Sequence, residues 1–93
     1  MVNVVPPPGT EASALDVAIP AGWRVLAVHD GGAWDEVHRK VKWGPFLGDG
    51  AIKVQFEVRL LPIAAQRGKF IGTASFDGVN QQFQVRSESE SLP

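Results

Sequence analysis

Apolar and polar side chains alternate without a break from Ile52 to Leu60, with Ile52, Val54, Phe56, Val58 and Leu60 set against Lys53, Gln55, Glu57 and Arg59. On an extended chain a period of two puts all five apolar groups on one face, whereas on a helix they would scatter around the axis. The stretch predicts a strand with one face on a core and the other in water, bounded by Gly48-Asp49-Gly50 and by Pro62.

Shorter segments repeat the pattern. Leu15, Val17 and Ile19 alternate with Asp16 and Ala18 before Pro20-Ala21-Gly22, predicting a strand from Ala12 to Ile19. The run Trp23 to His29 is unbroken in its apolar character from Val25 to Val28, which fits a strand buried on both sides or near a sheet centre. Arg39 to Trp43 places Val41 and Trp43 opposite Lys40 and Lys42, and Gly44-Pro45 is expected to end it. From Lys69 to Phe76, Phe70, Gly72, Ala74 and Phe76 alternate with Ile71, Thr73 and Ser75, and Asp77-Gly78 supplies hairpin-turn residues that tolerate positive φ. A last strand from Asn80 to Arg86 carries Gln81, Phe83 and Val85 on one side, its apolar character starting only at Phe83. Val2 to Val5 predicts a first strand, cut off by Pro6, Pro7 and Pro8, which lack the backbone donors a ladder needs. Trp34 to Lys42 allows one helical turn, with Asp35 as an N-cap and Glu36 at the positive end of the turn.

About seven strands with turn signals spaced roughly eight to twelve residues apart predict an all-β, antiparallel sandwich. A chain of 93 residues supports one core, so residues 1–86 are read as a single domain and 87–93, rich in Ser and Glu, as a polar tail. At 44% hydrophobic and 20% charged residues the chain is apolar enough to fold. A formal charge of −1 gives no positive field to draw a phosphate backbone or an anionic membrane surface, so neither nucleic acid nor membrane is an expected partner. With no cysteine, stability must come from packing rather than disulfides or thiolate-held metal. The residues from Met1 to Thr10 lack a basic stretch followed by an apolar one, so if the parent protein is exported its signal is expected outside this chain.

Several pieces carry a resemblance: Ile19-Pro20-Ala21-Gly22-Trp23, Asp30-Gly31-Gly32-Ala33-Trp34-Asp35, Val41-Lys42-Trp43-Gly44-Pro45-Phe46, and Gly72-Thr73-Ala74-Ser75-Phe76-Asp77-Gly78. Together they look like the Ig-like or cohesin-like β-sandwich modules repeated in large bacterial extracellular proteins, over roughly Val2 to Val85. The resemblance implies a non-catalytic structural or protein-interaction module, extracellular or at the cell surface as part of a larger exported protein. It also implies a first edge strand before the segment matching Val2 to Pro8, which this chain would lack. An edge left open in that way templates pairing with another chain, so a protein partner or a homodimer is expected.

Candidate chemistry is sparse. The two histidines, His29 and His38, stand nine apart across a glycine-rich turn, which is not a metal-ligand spacing. No serine lies in a G-x-S-x-G elbow, so no catalytic residue, metal site or cofactor is expected and the protein is read as not an enzyme. Asp30, Asp35, Asp49 and Asp77 all lie beside turn glycines or in turns, where carboxylates can ligate calcium but also do ordinary turn chemistry. Trp23 and Trp43 fit a core, while Trp34 lies in the loop after Gly31-Gly32 with Asp35 beside it. Trp34, Asp30 and Asp35 are therefore the candidate ligand-binding residues, and a carbohydrate stacked on an exposed Trp34 is the alternative function.

Overall fold

A computed structural model of the chain describes residues 2–61 and 69–85. The boundary placed at Pro62, the last position Arg86 of the final strand, and the tail 87–93 lie outside the described residues. The described residues form nine strands: β1 (Val2–Val4), β2 (Ala12–Ala18), β3 (Trp23–Val28), β4 (Ala33–Asp35), β5 (Lys40–Leu47), β6 (Ile52–Val54), β7 (Phe56–Leu60), β8 (Phe70–Phe76) and β9 (Val79–Val85). All pairings are antiparallel, giving a five-stranded sheet in the order β4-β5-β2-β8-β9 and two ribbons, β1-β6 and β3-β7. The architecture is an all-β sandwich, as the alternation predicts.

The inward face of the five-stranded sheet is built from the residues that the period of two selects. Leu15, Val17, Val41, Trp43, Phe70, Ala74, Phe76 and Val85 are buried there, and Val2, Ile52 and Val54 meet them from the ribbon β1-β6. Aromatic rings join the layers: Trp23 of β3 meets Phe70 of β8 edge to face at 5.0 Å, and Phe56 of β7 lies 5.8 Å from Trp43 and 6.2 Å from Phe70. Val17 and Val41, on adjacent central strands, are fully covered, and burial of each contributes about 1.5–3 kcal/mol.

Four departures from the expected elements have local causes. The alternation from Ile52 to Leu60 holds in burial throughout, yet at Gln55 the chain changes partner, from β1 along β6 to β3 along β7. Trp34 to Lys42 contains no helix: Ala33–Asp35 is the edge strand β4, joined to β5 by a turn. Asp35 nevertheless caps that turn as an N-cap would, its Oδ1 accepting the backbone N–H of His38 at 3.1 Å. The strand expected to stop at Trp43 continues through Gly44-Pro45 to Leu47, because these two residues oppose the single Ala14 in a β-bulge. Gly44 suits the bulge, with φ +116° and only 3.1 Å between an added Cβ and the Ala14 backbone. Finally, β3 is not buried on both sides. A second bulge inserts Leu26 between Val25 and Ala27, and Leu26 stands 54% exposed.

Candidate functional site

Among the described residues, the corner joining β4 to β5 gathers several polar contacts. Asp35 ends β4 and faces Lys40 and Lys42 across the outer surface of the sheet. Its Oδ2 accepts from Lys42 Nζ at 3.0 Å and lies 2.8 Å from His38 Nδ1. The Lys42 ammonium foremost, and His38 after it, hold the Asp35 carboxyl well below the usual carboxylate range. These are surface pairs, so they orient the turn more than they stabilise the fold.

Trp34 lies on the opposite face of β4, across from Val41, half-buried and packed against the core. The guanidinium of Arg39 sits over its ring, 5.6 Å from the centroid. Arg39 also donates from Nη2 to the carbonyls of Trp23 (2.9 Å) and Pro20 (3.1 Å), and from Nε to that of Ile19 (3.4 Å). It thus clamps the β2–β3 connection to the β4–β5 turn, with its own backbone at φ +52°.

Asp30 is exposed in the turn between β3 and β4, with φ +59° followed by Gly31 at +75°. It stands before β4 while Asp35 ends it, and Trp34 points to the other face. Trp34 and Asp35 are therefore presented to opposite faces of β4, and Asp30 precedes them in the turn. His29, ahead of Asp30, has its Nε2 2.8 Å from Glu57 Oε2, and its carbonyl accepts from Trp43 Nε1 at 2.8 Å and from the Gly32 N–H at 3.2 Å. The remaining turn carboxylates tie loops together. Asp49 accepts the Gly9 N–H at 2.8 Å, and Asp77 accepts the N–H groups of Ala12 (2.9 Å) and Glu11 (3.1 Å), fastening the β8–β9 turn to the start of β2. Among the described residues no three His, Asp or Glu side chains group to hold a metal ion.

One open groove of about 480 Å³ runs between the end of β5 and the approach to β6, lined by Pro45, Phe46, Leu47, Gly50, Ala51, Ile52 and Lys53. Lys53 is the single ionisable side chain there, so the groove has no acid–base pair to offer.

Among the described residues, the other feature open to a partner is β9, at the margin of the five-stranded sheet. Its residues Val79-Asn80-Gln81-Gln82-Phe83-Gln84-Val85 include no charge and no proline, and Val79 to Gln82 are exposed on both faces. Edge strands are ordinarily guarded by a lysine, a proline or a bulge, and β9 pairs with β8 in unbroken register without any of these. Sequence reasoning found this strand but not its position at a margin, which depends on strand order. The missing charge was the available signal. Compared with family models, with curated proteins and with solved structures, the chain matches none of them.

Proposed function

We propose that this chain is a non-catalytic structural and protein-interaction module of an exported bacterial multidomain protein, an Ig-like or cohesin-like sandwich that works through strand edges and loops. The observation that carries the reading is the unguarded margin at β9, seven residues long and uncharged. Backbone donors and acceptors along such an edge accept an added strand from a partner, with main-chain hydrogen bonds supplying affinity. The ionisable groups support the non-catalytic part: His29 is engaged with Glu57, His38 and Lys42 with Asp35, and Asp49 and Asp77 with backbone N–H groups. The exported setting rests on the resemblance of the Trp- and Gly-containing segments to modules of that kind.

Carbohydrate binding through Trp34 is the competing reading. It is weakened by the Arg39 guanidinium over the indole and by the packing of that ring against the core. Selection of a displayed peptide library on the folded chain tests the proposal. Extended peptides that bind the parent chain and lose binding to Gln82→Pro support strand addition. Peptides indifferent to that change, or a polysaccharide-induced Trp fluorescence response abolished in Trp34→Ala, would overturn it.

A further inference from the structure

Resting on the reading of β9 as an interaction edge, we infer that its partner is a second copy of this chain, paired β9 to β9 in antiparallel register centred on Gln82. Two five-stranded sheets then run on as one across a two-fold axis.

The hydrogen-bonding phase follows from the turn. Asp77 and Gly78 both have positive φ, +49° and +86°, the conformation of a two-residue type I′ hairpin loop. Such a loop closes on a hydrogen-bonded pair, here Phe76 with Val79, and hydrogen-bonded and open pairs alternate from there. Gln81, Phe83 and Val85 consequently bond to β8, while Asn80, Gln82 and Gln84 turn their N–H and C=O groups outward. Centring the axis on Gln82 pairs Gln82 with its own copy and Asn80 with Gln84 of the other chain. That is the one register that uses all three outward residues, for about six main-chain hydrogen bonds.

The side chains agree with this register. Opposed residues keep to the same face, so the outer face carries an Asn80–Gln84 and Gln82–Gln82 ladder of amides, each able to donate and accept. In a two-fold interface a residue on the axis meets itself, so a charge there would repel its copy. Strand β9 has none. By contrast, β3 carries Arg24, β7 carries Glu57 and Arg59, and the other sheet margin, β4, is three residues long and ends in Asp35. Val79, 63% exposed, would gain cover opposite Val85 of the partner copy.

Sedimentation of the full chain from micromolar to millimolar concentration tests the inference. The apparent mass should double for the parent chain and stay at one copy for Gln82→Lys, which places like charges on the axis, and for Gln82→Pro, which removes an outward N–H. Circular dichroism and thermal unfolding report whether each variant keeps its fold, and the lysine variant stands alone if the proline variant does not. The register has its own readout, because the chain has no cysteine. Under oxidation Asn80→Cys should cross-link to Gln84→Cys in preference to itself, and Gln82→Cys should cross-link to itself. A single-copy mass throughout the range overturns self-pairing while leaving the module reading to the peptide selection. Unchanged dimerisation in a folded Gln82→Lys, or cross-linking without the Asn80–Gln84 preference, overturns this edge or this register.

Discussion

Arg39 is the side chain whose removal should test the fold most sharply. Arg39→Ala leaves the positive-φ backbone with a Cβ-bearing residue in both proteins, so the strain of that conformation cancels. What is lost are the bonds to Trp23 O at 2.9 Å and Pro20 O at 3.1 Å, the longer one to Ile19 O, and the cation–π contact with Trp34. The two shorter bonds, in a half-buried setting, are worth about 1 kcal/mol each. The guanidinium over the indole adds about 0.5–1 kcal/mol. The sum is about 2–3 kcal/mol, which in a domain of this size lowers Tm by roughly 10–20 °C. Urea unfolding followed by Trp fluorescence measures it. Arg39→Lys should recover little, because an ammonium cannot span the three spread carbonyls of the β2–β3 connection as the planar fork does. A double-mutant cycle with Trp34→Ala should return about 0.5–1 kcal/mol of coupling. Stability of Arg39→Ala within about 0.5 kcal/mol of the parent, or full recovery by lysine, would refute the clamp.

Asp77 separates turn conformation from loop fastening: Asp77→Gly keeps the positive φ but loses the bonds to Glu11 and Ala12, for about 1–2 kcal/mol by chemical denaturation, whereas Asp77→Asn keeps an acceptor oxygen and should cost less. Gly32→Ala should destabilise by about 1–3 kcal/mol and change the Trp43 emission, because the new Cβ falls against Trp43 Nε1 and 2.6 Å from Val28 Cγ1; an unaltered spectrum and midpoint would contradict the close approach. Because the folded-state pKa of Asp35 is depressed, its stabilising contribution is present above the ordinary aspartate pKa of about 3.9 and lost as the pH falls below it. The stability difference between the parent and Asp35→Asn, followed by thermal unfolding, should therefore narrow on acidification. A gap that widens instead would reverse the assignment.

The period of two was enough to select the residues that fill the core, because a one-residue slip would expose every one of them. Leu15, Val17, Phe70, Ala74 and Ile52 all face inward as their alternation requires. Properties that depend on neighbours distant in sequence were not readable in this way. Nothing in the regular pattern through Gln55 marks the change of partner there, since both halves keep the same inward face. Pro45 reads locally as a terminator, yet Ala14 on the opposing strand accommodates it in a bulge. The same applies to the candidate site. Trp34 looks like a loop aromatic beside a free carboxylate until β4 pairs with β5, which sends the indole to one face and Asp35 to the other. Arg39 shows no motif, because its three acceptors are carbonyls whose positions the fold alone supplies.

Val2 is only 4% exposed and β1 pairs along its whole length with β6, so the first residues are built into the sandwich rather than leading up to it. Anyone joining this unit to a neighbour, or excising it for expression, would have to cut upstream of Val2. A trim to Pro6 would strip the lid from Ile52 and Val54 and hand a greasy, unpaired ribbon to the solvent.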